Sequence, residues 1–156
     1  MRATPKNVNL FLMLKLPAAF LCGVRVKSLS GEVCTVSVKH KWINQNPFRS
    51  MYFAVQAMAA ELSTGALVLS QIKETGMSIS MLVGSNRSFF HKKATGLITF
   101  SCADGNLVSE AISTAVSSGE GQSVTLKSVG TNQKGEVVSE MEFDWQIKVK
   151  LSSAAS

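Results

Sequence analysis

Between Met51 and Leu69 the chain reads "MYFAVQAMAAELSTGALVL", nineteen residues that are nearly all apolar or small, with Glu61 as the one acid. Such a run, read as a helix, spans about 30 Å, the width of a small domain. A helix that is apolar on most sides has to be covered on most sides. A bilayer is one way to do this, but Gln56 and Glu61 near the centre argue against contact with lipid. The alternative is a sheet curved around the helix, since one flat sheet face leaves too much of it bare. Either way Glu61 stands out, because a carboxylate among apolar side chains costs several kcal/mol to desolvate unless something offsets that cost.

The rest of the chain supplies the sheet. In "GVRVKSLSGEVCTVSVKHKW" Val24 and Val26 alternate with Arg25 and Lys27. Ser30-Gly31 breaks the pattern, and Cys34, Val36, Val38 and His40 resume it, which predicts a hairpin with one buried face. Asn46-Pro47 is a turn and a signal for the start of the long helix. Strands are predicted in "SISMLVGSNRSFF" and "GLITFSCADG". A short helix follows in "NLVSEAISTAVSS", with Leu107, Ala111, Ile112, Ala115 and Val116 on its apolar side. Two last strands, "SVTLKSVG" and "EVVSEMEFDWQIKVKL", flank the turn "TNQKG". In the second of these, Val137, Met141, Phe143, Trp145, Ile147, Val149 and Leu151 take one face and charged or polar residues the other. The expected fold class is α+β: a curved antiparallel sheet of about six strands around a long central helix, in one domain over residues 1–156.

The first 22 residues begin basic and turn apolar. Lys15 and Pro17 interrupt the apolar run and no small-x-small cleavage site follows, so the segment reads as a helix over about Val8 to Leu16, packed on the domain. A signal peptide or membrane anchor is the less favoured reading of the segment, and stable membrane insertion is not expected.

Charged residues make up only 17% of the chain, which leaves apolar surface for a partner subunit to cover; a homodimer or tetramer is the expectation. The net charge of +6 favours anionic partners. With one Tyr, two Trp and no long basic run, a phosphorylated ligand ranks above nucleic acid. Cys22, Cys34 and Cys102 are odd in number and far apart, which fits free thiols in a reducing, cytoplasmic setting. With His40 and His91 they form no spaced set of metal ligands. His40, on the apolar side of its strand, is expected as a hydrogen-bonded core residue.

This order of elements resembles the hotdog fold, and in particular the PaaI-like acyl-CoA thioesterases. That family carries an Asn, then His-Gly-Gly six residues later, then an acid nine residues after the His. Here Asn46 is followed six residues on by Tyr52-Phe53-Ala54, and Glu61 comes nine residues after Tyr52; the spacing agrees and the His-Gly-Gly is missing. A closer resemblance is to the thioesterase-like DUF4442 group, which generally lacks His-Gly-Gly. The shared features are "LKLPAAFLCGVRV", an Asn near the start of the helix, and the acid followed by a small residue in "AELSTG".

The resemblance implies an acyl-CoA thioesterase with its site between subunits. Coenzyme A would be part of the substrate, and neither a metal nor a separate cofactor would be needed. It makes Glu61 the general base or nucleophile, its pKa raised by apolar neighbours. Asn46 would orient the carbonyl or the water, and Ser78 or Ser80 would assist. Free N–H groups at the helix start, near Ser50 to Phe53, would polarise the thioester carbonyl. Tyr52, Phe53 and Ala54 would line the acyl path. Arg87, His91, Lys92 and Lys93, with Arg49 as second choice, would hold the coenzyme A phosphates.

Each residue also has a plainer reading. Glu61 could cap a strand or pair with a lysine, Asn46-Pro47 is ordinary turn chemistry, Tyr52 is core, and Ser78 and Ser80 lie on a polar strand face. Arg87 to Lys93 is then a solvated turn. Two further functions therefore stand beside hydrolysis: a non-catalytic acyl- or CoA-binding or scaffolding dimer, and a membrane-surface protein using its N-terminal helix and positive charge.

Overall fold

A computed structural model describes residues 3–151. In chain order the elements are α1 (Pro5–Lys15), α2 (Pro17–Leu21), β1 (Arg25–Leu29), β2 (Cys34–Lys39), a 3-10 turn (Trp42–Asn44), α3 (Phe53–Thr75), β3 (Ile79–Phe90), β4 (Leu97–Cys102), α4 (Gly105–Ser118), β5 (Gln122–Thr131) and β6 (Val137–Val149). The six strands form one antiparallel sheet in the order β1-β2-β4-β5-β6-β3. This is the hotdog fold, with α3 as its central helix and α1 as the N-terminal addition.

α3 is long and apolar enough to cross a membrane, yet 67% of its most apolar stretch is buried inside the protein. The sheet's inner face packs on it through Val36, Phe100, Leu126, Phe143, Trp145 and Ile147. Gly65 permits a close approach, since a Cβ there would lie 3.0 Å from Trp145 Cζ2. The helix ends at Gly76, whose φ of 68° is the left-handed cap that glycine adopts without strain.

The two sheet edges differ. At β1, Asn9 of α1 donates to the Val26 carbonyl and accepts the Val26 N–H, both at 2.9 Å, so α1 occupies that edge. At the other end β3 pairs with β6 over its whole length and has no strand on its far side. A bulge at Gly84 shifts its register. Beyond the bulge Asn86 and Ser88 oppose the buried Phe143 and Met141, which puts them on the helix-facing side of the sheet.

Five expectations need correction. The N-terminal helix starts earlier, at Pro5, because Thr4 accepts the Asn7 N–H and proline suits a first turn; Pro17 then opens a separate short helix. Asn46-Pro47 does not begin α3, which starts at Phe53 after a loop. In α4 the buried stripe is Val108, Ile112 and Ala115, while Leu107 and Val116 are exposed. Val137 and Leu151, at the ends of the last strand's pattern, are exposed because they overrun the core. His40 also differs from expectation: its Nε2 is shielded from solvent and has no hydrogen-bond partner.

Candidate active site on the central helix

The polar side chains in the packed part of α3 are almost all spoken for. Gln56 accepts from Ser139 Oγ at 2.9 Å, Ser63 shares a 2.8 Å hydrogen bond with Ser128, and Thr64 Oγ1 accepts the Trp145 indole N–H at 3.0 Å. Ser70 donates to the Leu67 carbonyl, and Gln71 donates to the carbonyls of Gly31 and Gly105. Glu61 is the exception. Among the described residues its carboxyl has neither a hydrogen-bond partner nor an ion-pair partner. It lies on the half-buried stripe Ala54, Ala57, Met58, Glu61, which the sheet does not cover completely. Its Oε1 sits 3.5 Å from where a Gly65 Cβ would be, in the space that glycine leaves open beside Trp145. Burial pushes its pKa up from the ordinary carboxylate value. A carboxyl of raised basicity with free lone pairs suits proton abstraction.

A cleft of ≈ 490 Å³ opens at the start of the same helix. Its walls include Phe48, Tyr52, Phe53 and Phe90, with Asn46, Ser50 and Gln56 among the polar lining residues. Tyr52 and Phe53 meet edge to face at 5.0 Å, and Phe53 and Phe90 at 6.3 Å. No side chain caps this end of α3, and the N–H groups of Phe53 and Ala54 have no acceptor among the described residues. These amides and the positive end of the helix dipole can receive a developing negative charge.

Asn46 belongs to the cleft lining, but its amide is occupied by its own loop. Its Oδ1 accepts the Phe48 and Ser50 N–H groups, and its Nδ2 reaches Ser50 Oγ at 3.0 Å and the Met51 carbonyl at 3.4 Å. This bonding fixes the approach to α3 and shares the loop with Arg49, whose φ of 59° is left-handed. The basic cluster divides. His91, Lys92 and Lys93 line the cleft, with His91 bonded to Glu140 at 2.9 Å, Lys92 paired with Glu136 at 2.6 Å, and Lys93 Nζ 3.3 Å from the Phe48 carbonyl. Arg87 instead lines a separate polar hollow with Ser85, Thr125, Glu142 and Asp144. Ser80 donates to the Lys148 carbonyl at 3.1 Å from the outer side of the sheet, and Ser78 precedes β3, accepting the Lys150 N–H on its carbonyl. Neither serine is on the inner side of the sheet; the polar β3 residues placed on that side by their register are Asn86 and Ser88. Sequence reading missed them because the Gly84 bulge reverses which β3 residues face inward, and a lone glycine in a strand is the signal that could have warned of it. Gln56, Phe48 and Phe90 were also missed as lining residues.

Cys34 and Cys102 oppose each other across β2 and β4. Burial pushes each thiol up to about 12, so both stay protonated and unreactive.

A family model described as "Domain of unknown function (DUF4442)" matches residues 5–147. No curated protein matches the chain. Among solved structures, a Pseudomonas aeruginosa protein of unknown function described as a "Probable Thioesterase" aligns with TM-score 0.81 and 22% identity, covering 96% of this chain and 99% of its own. A Haemophilus influenzae thioesterase aligns with TM-score 0.72 and 8% identity, over 99% and 97% of the two chains. A mutant Pseudomonas aeruginosa thioesterase aligns with TM-score 0.75 and 10% identity, over 96% and 97%. At these identities the shared feature is the fold.

Proposed function

The chain belongs to the DUF4442 family, and on that premise we propose that it is a thioesterase-like hydrolase acting on an acyl-CoA thioester at a site completed by two copies of the chain. The observation that carries this reading is Glu61, a polar side chain in the packed part of α3 that has no hydrogen-bond or ion-pair partner among the described residues. In the reaction Glu61 takes a proton from water as the water oxygen bonds to the thioester carbon. The N–H groups of Phe53 and Ala54 receive the oxyanion. The C–S bond then breaks, and Glu61 returns the proton to the leaving sulfur.

Geometry within one chain supports the need for a second. Phe53 and Glu61 are eight residues apart, or about 12 Å along a helix, too far to act on one carbonyl together. A second copy docked along the open β3 edge is the arrangement that would bring the helix start of one chain to the Glu61 of the other. The cleft at Tyr52 and Phe53 would take the pantetheine or acyl part, with Lys93 nearest to the phosphates.

A second reading has its own support. Tyr52, Phe53 and Ala54 stand where the thioesterases resembled by the sequence carry His-Gly-Gly, and the Phe53 ring packs between Tyr52 and Phe90. Side chains there hinder the close backbone approach that glycines permit. The chain would then bind acyl groups or coenzyme A without turnover. Thiol release from a panel of acyl-CoAs separates the two. Hydrolysis predicts turnover by the natural chain and a loss of at least about a hundredfold in Glu61→Gln. Saturable CoA binding with no turnover supports the second reading, and equal rates for both proteins remove Glu61 from the chemistry.

A further inference from the structure

The charge of this protein is unevenly placed. Glu32 is the only acid before Glu61, while half of the sixteen lysines and arginines fall in that same stretch. The ion pairs among the described residues, His91–Glu140, Lys92–Glu136 and Lys127–Glu140, all lie in the other part of the chain. No lysine between residues 3 and 60 has an acidic partner among them.

The same region carries an apolar surface. α1 turns Leu12 inward, with no exposed area, but its other side holds Leu10, Phe11, Met13 and Leu14, and Leu14 is 65% exposed. Leu10 and Leu14 are one turn apart, and Lys6 extends the same stripe. Leu16 and Leu21 continue the exposed apolar surface into α2. Asn44 donates to the Cys22 carbonyl at 2.9 Å, which fastens the 3-10 turn to the end of α2. That turn presents Trp42, 82% exposed, and Ile43. Lys15 closes α1, and Lys39 and Lys41 precede the turn. A surface helix normally turns polar side chains outward, so one that is apolar on both sides has something to cover it.

We infer that the outer face of α1 and α2, together with the Trp42 turn, is a docking surface for an anionic lipid bilayer, on which the protein lies without crossing it. Apolar side chains with a tryptophan, rimmed by unpaired lysines, match the acyl boundary and the phosphate layer respectively. α1 has 11 residues, about 16 Å, against roughly 30 Å of hydrocarbon, so it lies in the interface plane. A second copy of the chain is the weaker fit. An isologous contact through this face would bring together two copies of the same lysine-bearing surface, with no acid on it to offset the like charge. The inference is independent of the hydrolase reading, since it uses none of the residues placed in that chemistry.

The test is co-sedimentation of the full chain with phosphatidylcholine vesicles, with and without phosphatidylserine, alongside tryptophan emission. Binding is expected with phosphatidylserine, weakening by about fivefold for each of Lys6→Gln and Lys15→Gln. Trp42 emission should shift to the blue on binding, and Trp42→Phe should abolish the shift, leaving the buried Trp145 unchanged. Leu10→Ser with Leu14→Ser should reduce sedimentation to background while the circular dichroism spectrum stays that of the natural chain. Three results overturn the inference: no binding to phosphatidylserine vesicles at low salt, binding undiminished by the paired leucine substitution, or a change in oligomer size in that variant, which would assign the face to a second copy.

Discussion

Glu61 is more costly as a carboxylate than as an acid, because burial raises its pKa in the folded chain. The folded state therefore binds its proton more tightly than the unfolded state does. The resulting stabilisation is full below the unfolded carboxylate value and is lost as pH rises through the folded one. Glu61→Gln keeps the shape and removes the ionisation. The variant should match the natural chain in acid and exceed it at neutral pH, by about 1 kcal/mol, a common gain when a costly functional group is relieved. Denaturant unfolding of both proteins across pH checks this. Equal stability at neutral pH would mean that Glu61 is as well solvated as a surface acid. If turnover is lost in the same variant, the residue gives up stability for chemistry, which answers why an acid sits in that helix. Asn46 is the opposite case at this scale. Its hydrogen bonds are consumed by the loop that leads into α3, so its contribution lies in aiming the helix start, through bonds that a sequence spacing cannot reveal.

At the scale of elements, periodicity identified strands and helices where one face is buried and the other is not. β6 is the clear example: Met141, Phe143, Trp145 and Ile147 face the core as their alternation predicts. Periodicity was less informative about the centre of a helix's apolar face. In α4 the sequence offers two overlapping stripes, and only packing against β5, β6 and α3 decides that Val108 is inside and Leu107 outside. The consequence is measurable. Val108→Ala should cost about 2 kcal/mol by leaving a cavity, whereas Leu107→Ala should change stability by less than about 0.5 kcal/mol. Thermal or denaturant unfolding of the pair checks this, and the reverse order would show that α4 is rotated about its axis. Register was the other limit. The bulge at Gly84 exchanges the faces of the residues after it, which brings Asn86 and Ser88 to the inner side, while Ser80, before the bulge, stays on the outer side. Tertiary proximity was the third. The run from Arg87 to Lys93 looks continuous in sequence, but β3 ends at Phe90 and the chain turns, sending Arg87 to one hollow and Lys92 and Lys93 to another.

At the scale of the whole molecule, the two sheet edges decide how copies can assemble. β1 is not available, since Asn9 already bonds the Val26 N–H and carbonyl. β3 offers twelve residues of strand with no neighbour on one side, and Leu82, Phe89 and Phe90 are exposed along it. A long apolar edge of this kind invites pairing with another strand, and a two-fold pairing of β3 with β3 joins two sheets into one. Lysine on an edge strand is a recognised way of blocking such pairing. Leu82 is 67% exposed, so if copies pair through β3 as proposed, Leu82→Lys with Phe89→Lys should leave the fold intact and give a monomer in analytical ultracentrifugation where the natural chain is a dimer. The same variant discriminates the site architecture. If Phe53 of one chain and Glu61 of another act on one thioester, the monomer should lose turnover even though Glu61, the cleft and the amides at the helix start are untouched. A monomer that retains turnover would place the whole reaction within one chain, and the 12 Å estimate along α3 would then have to be bridged by some other group on the inner face, with Asn86 and Ser88 the first to substitute.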